Sequence, residues 1–130
     1  MSGFAEADAS MRAPTIEGAA ERLREICLAL PEAKEVAMRP GPSYRVVDRI
    51  FANERSRDGR LSVWCKAPPG SQDVLIGADP NRFFFPPYYG LKGWVGMRLD
   101  DGPDWAEVEA FVTRSFQLVA PRRLASLSPR

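Results

Sequence analysis

Apolar positions change period twice along the chain, and those changes predict the order of its elements. Ile16, Ala19, Ala20, Leu23, Ile26, Cys27 and Leu30 recur at three- and four-residue intervals, the spacing of one helical face. Glu21, Arg22, Arg24 and Glu25 fill the opposite side. Thr15 is placed to cap this helix, since its hydroxyl accepts from free amide groups of the first turn. Pro31 stops it, because proline has no N–H to give and restricts the residue before it.

The period then falls to two. Ser43 to Val47, Ile50 to Ser56 and Leu61 to Ala67 alternate as strands, with Asp48-Arg49 and the Arg57-Asp58-Gly59 run as connections. Leu61, Val63 and Cys65 share one face, and Ser62, Trp64 and Lys66 the other. A two-residue turn at Asp58-Gly59 would pair Val63 with Glu54 and set a carboxylate beside the apolar face. A three-residue loop pairs Phe51 with Cys65 and Asn53 with Val63, with Gly59 left-handed; this is the expected register. Pro68-Pro69-Gly70 breaks the third strand. Gln72 to Ala78 is a short helix with Ser71 as its cap, ended by Asp79-Pro80-Asn81. Phe83 to Gly90 is an extended run of aromatics and prolines, and Gly93 to Asp100 a further strand. In that strand Val95, Met97 and Leu99 face one way, and Trp94 and Arg98 the other.

Period 3.6 returns at the end. Asp104 with Glu107 three later forms a capping-box pair. Trp105, Val108, Phe111, Val112, Ser115, Phe116 and Val119 make the buried stripe, and Pro121 follows it. Arg122, Arg123 and Arg130 fall in a frayed end. The elements predict one α+β domain over residues 14–124: a two-layer sandwich with helices on one face of an antiparallel sheet. Residues 1–13 and 125–130 are expected as tails.

Composition narrows the function. The chain has 130 residues, 45% of them apolar, enough for a core without staples. There is no histidine, which removes the commonest metal ligand and general base. Cys27 and Cys65 fall on apolar faces, where thiols are inert. No phosphate-binding glycine loop or serine nucleophile elbow occurs, and Asp100-Asp101 alone is not a cation site. A non-enzymatic protein without metal or cofactor is expected. No apolar run approaches the ~20 residues of a membrane span, and Met1 to Ala13 has no leader-like apolar core. The expected location is the cytoplasm, with reduced thiols. Residues 33–98 carry 11 basic and 6 acidic side chains, so an anionic partner would be drawn to the middle of the chain.

Several stretches resemble the MmcQ/YjbR family. They are Tyr44-Arg45-Val46 with Ile50-Phe51-Ala52, Leu61 to Lys66, Arg82 to Tyr88, Gly93 to Asp100, Asp104-Trp105, and Ser115 to Pro121. The run from Pro86-Pro87-Tyr88 to Gly93-Trp94-Val95-Gly96 is the most specific. The resemblance implies a two-layer α+β fold similar to secretion chaperones and frataxin, and DNA binding through a double-wing arrangement. Family members often carry a histidine or tryptophan before the Tyr44-Arg45-Val46 equivalent and a histidine near Leu91. This chain has Pro40-Gly41-Pro42 and Leu91-Lys92 instead.

Three surfaces are candidates. Alternation places Arg45, Trp64, Lys66, Trp94 and Arg98 on the sheet face away from the helices, where tryptophans can stack bases and cations meet phosphates. The same face would also serve a protein partner or self-association. The hairpin tip carries Arg55, Arg57 and Arg60 and can reach along a phosphate backbone, although Glu54 and Asp58 dilute its charge. The Phe83 to Tyr89 segment either covers one end of the core or lines a small-molecule pocket against the last helix.

Overall fold

The computed structural model describes residues 16–57 and 59–128, with Ile16 and Arg57 described in their backbone alone. Thr15 and the tail expected at 1–13 lie outside these residues. The chain folds as α1 (Ile16–Leu28), β1 (Lys34–Val36), β2 (Ser43–Val46), β3 (Arg49–Arg57), β4 (Arg60–Lys66), α2 (Ser71–Ala78), β5 (Phe83–Phe84), a 3₁₀ turn (Tyr89–Lys92), β6 (Trp94–Arg98), α3 (Trp105–Val119) and α4 (Arg122–Ala125). The strands form one six-stranded sheet in the order β1-β2-β3-β4-β6-β5, every pair antiparallel. The α+β class is as expected; strands β1 and β5 are additions at the two edges. No helix among the described residues is long and apolar enough to cross a membrane.

Helices α1 and α3 pack on one face of the sheet and on each other. Leu23 and Cys27 of α1, Val63 and Cys65 of β4, Met97 of β6, and Val108, Val112 and Phe116 of α3 are fully buried there. Burial pushes both thiols well above the ordinary cysteine range, so they pack as small apolar groups. Asp104 caps α3 by accepting from Ala106 N at 3.0 Å. Its expected capping-box partner, Glu107, turns instead to Arg82. After Pro121 the chain does not fray at once: α4 buries Leu124, and Gln117 donates to Ser128 Oγ.

The β3–β4 register differs from the expected one. Arg57 pairs with Arg60, which leaves a two-residue turn, and Glu54 pairs with Val63. Gly59 has φ +74°, as such a turn requires. The expected register went astray at Phe51. Tyr44 pairs with Ala52 but Arg45 with Ile50, so β3 carries Phe51 as an extra residue, a bulge. A bulge reverses the parity of the strand beyond it. Phe51 and Ala52 are therefore both fully buried, Asn53 and Arg55 turn to the outer face, and Glu54 turns to the helix side. Ser115 of α3 bridges the strands beside the bulge: its hydroxyl donates to Phe51 O at 2.7 Å and accepts from Lys66 N at 2.9 Å. The first hairpin also shifts by one residue. Val46 pairs with Arg49, so Val47 and Asp48, both at positive φ, make the turn expected at Asp48-Arg49. Val46 is thereby kept in the core and Val47 left outside.

Glu54 carries the cost of this register. Desolvation, then the nearby charge of Glu35, push its carboxyl above the ordinary range. A carboxyl raised in the folded state contributes its full stability below the unfolded pKa and loses it as pH rises through the folded value. Glu54→Gln is therefore expected to raise the melting temperature at pH 7 and to leave it unchanged near pH 3, as followed by circular dichroism. Equal effects at both pH values would refute this placement of the carboxyl.

Candidate functional site

The candidate surface is the sheet face opposite the helices, and residues of five strands build it. Cross-strand pairing aligns Ser43, Asn53, Trp64, Gly96 and Phe84 in one row, and Arg55, Ser62 and Arg98 in the next. Lys66 lies beside Trp94. Sequence alternation thus placed Trp64, Lys66, Trp94 and Arg98 on a common face as the pairing requires.

That face is not open to solvent. Trp64 is 5% exposed and Trp94 7%. The indole of Trp64 lies under Phe84 and Tyr89, with ring centroids 6.4 and 6.0 Å away, and Tyr89 also covers Trp94 at 5.0 Å. Gly96 makes room for this cover, since a β-carbon there would overlap the Phe84 ring. Gln72 of α2 ties the cover down, donating to Gly90 O and Trp94 O, both at 2.8 Å. At the other end of the face, Gly41 and Pro42 lie along β3: Pro42 O accepts from Glu54 N at 3.0 Å. Base stacking on Trp64 and Trp94, as expected from sequence, is closed off by this second layer.

The cations are also committed. Arg55 is not at the hairpin tip but buried on the outer face. Its guanidinium sits 5.3 Å from the Trp64 ring centre and donates to Glu54 O at 3.0 Å and Gly41 O at 3.4 Å. Burial holds it below the usual arginine range. Trp64 Nε1 donates to Ser62 Oγ at 3.1 Å, and Ser62 Oγ to Arg55 O at 3.3 Å, so indole, hydroxyl and arginine form one unit. Arg60 donates twice to Asp100, at 2.7 and 3.3 Å, and this hydrogen bonding holds the Asp100 carboxyl below its ordinary range. Arg98 stacks 4.5 Å from the Phe84 ring centre and donates to Asn81 O at 3.1 Å. Arg45 is half-buried against Ser43 and the Met38 sulfur. Lys66 is exposed, with no ion pair among the described residues. The side chain of Arg57 lies outside the described residues.

Two features escaped sequence reasoning. Asn53 is fully buried on this face, and neither end of its amide has a hydrogen-bond partner among the described residues, an uncommon state for a buried polar group. At Tyr88 the backbone takes φ +67°, ψ −58°, and Tyr89 N donates to Pro87 O at 2.6 Å. That is a γ-turn of the rare, strained hand. It turns Tyr88 outward, 66% exposed, in a segment where Phe85 at 51% and Leu91 at 83% are also exposed, with the Lys92 ammonium 4.7 Å from the Tyr88 ring centre. The glycine inside β6 was the available signal for the cover, since an interior strand glycine marks a close approach. Nothing in the sequence signalled the strained turn.

A family model described as YjbR matches residues 28–118. The chain is similar in fold to the crystal structure of Deinococcus radiodurans protein DR2400, which is described as a DUF419 domain. The TM-score is 0.65 at 21% sequence identity, over 82% of this chain and 78% of that one. No curated protein matches the chain.

Trp64→Ala separates a structural indole from a ligand-facing one. The buried placement predicts a loss of about 3 kcal/mol in urea unfolding, typical of emptying a large aromatic site. An indole presented to solvent would cost no more than roughly 0.5 kcal/mol.

Proposed function

The chain belongs to the YjbR family, and we propose that it is a non-enzymatic binding domain that docks a protein partner through the ledge formed by Phe85, Tyr88, Leu91 and Lys92. The carrying observation is the strained turn at Tyr88. Such a turn costs roughly 1–3 kcal/mol and persists only where the surroundings enforce it. Here Phe85 lies against Gly90, where a β-carbon would overlap its ring, and Gln72 holds Gly90 O. The strain is spent on presenting an aromatic ring with a cation against it, in a segment that exposes two further apolar side chains. An exposed tyrosine is among the side chains enriched at protein-binding hot spots. A rigid ledge also loses little entropy on docking.

DNA binding is the second reading. It draws on the basic excess of residues 33–98 and on exposed Lys66 and Lys92. Against it, Arg55, Arg60 and Arg98 already have internal partners.

Photo-crosslinking in cells tests both readings, with benzoylphenylalanine replacing Tyr88 or Leu91, and Glu109 of α3 as the exposed control. Partner docking predicts one discrete protein adduct from positions 88 and 91 and none from 109. A nuclease-sensitive adduct would transfer the ledge to nucleic acid. No adduct at 88 or 91, or the same ladder at all three positions, would sink the docking proposal.

A further inference from the structure

A second feature lies on the helix side, away from the ledge. Between α2 and α3 runs a cleft of about 430 Å³, within the size range of small-molecule sites. Its floor is Met97 and Phe83, with Phe111 of α3 on one wall and Val74 and Leu75 of α2 on the other. The α2 helix buries none of its residues completely, and Val74 remains 67% exposed although it faces apolar neighbours. The wall is thus apolar and unfilled.

The two ends of the cleft differ in charge. Arg82, just beyond α2, joins Asp79 to Glu107 of the first turn of α3 at one end, while at the other Lys66 N donates to Ser115 Oγ, beside Arg114. At the first end Arg82 is bound to both Asp79 and Glu107, and its charge is spent. At the second end Arg114 lines the cleft together with Lys66, which as the last residue of β4 borders both sides of the sheet; both are exposed and form no ion pair among the described residues. An apolar trough with a neutralised end and a cationic end selects a molecule of matching polarity.

We propose that this cleft binds an amphipathic monocarboxylate, with its apolar body between Phe111 and the Val74 and Leu75 wall and its carboxylate at Lys66 and Arg114. The apolar walls supply affinity through burial. The cations supply direction through charge-assisted hydrogen bonds.

The probes are decanoate, decanol and decylamine, titrated into the ¹⁵N-labelled chain and followed by amide chemical shifts. Decanoate is expected to shift Lys66, Val74, Leu75, Met97, Phe111 and Arg114 as one set. Decylamine is expected to bind at least about ten-fold more weakly, the worth of one charge-assisted bond. The Lys66→Gln/Arg114→Gln variant should lose about ten-fold in decanoate affinity and keep its decanol affinity. Ala110→Phe, which fills the trough without touching the charges, should abolish binding of both. Scattered or absent shifts, equal affinity for the three probes, or decanoate binding unchanged in either variant would overturn the proposal.

Discussion

Strand β4 is buried on both faces, and the rest of the molecule is arranged around that fact. Leu61, Val63 and Cys65 meet the helices, while Ser62 and Trp64 meet a second cover made of side chains and loop. A helix layer on one face leaves the other face of an antiparallel sheet to water. Burying an indole there removes roughly 200 Å² of surface, worth about 5 kcal/mol at 25 cal/mol per Å². The Phe84–Gly90 segment provides that burial with no secondary structure beyond β5 and a 3₁₀ turn. Gly96 is what allows it so close to the sheet.

The same cover explains where the positive charge goes. A guanidinium has a flat apolar face and a ring of donors, so it can floor an indole and still satisfy carbonyls. Arg55 does this beneath Trp64, and Arg98 does it against Phe84. Arg60 is drawn to Asp100 across the end of β4. Residues that look in sequence like a phosphate-binding row are mostly the polar lining of a second core. Three exposed cations outside it, Lys66, Lys92 and Arg114, border the ledge and the cleft.

Legibility followed the length and regularity of the pattern. Helices α1 and α3 were readable because each repeats its apolar stripe over several turns, and the face shared by Val63, Cys65, Val95 and Met97 was readable from strict alternation. Alternation cannot reveal an inserted residue, so the bulge at Phe51 misphased the rest of β3. That error moved Arg55 to the hairpin tip and kept Glu54 out of the core. Periodicity also reports which side chains share a face but not whether the face is covered. Trp64 and Trp94 were placed on the correct side yet read as exposed, because their cover comes from a segment without a period. The strained turn at Tyr88 had no sequence signature at all, since glycine is the residue such geometry ordinarily announces.

Iodide quenching of a Trp105→Phe variant addresses the central claim directly, because Trp64 and Trp94 are then the only indoles left. A covered outer face predicts blue-shifted emission and quenching far below that of free tryptophan. Red-shifted emission quenched as readily as the free amino acid would mean that the sheet face is open and that the second core does not exist.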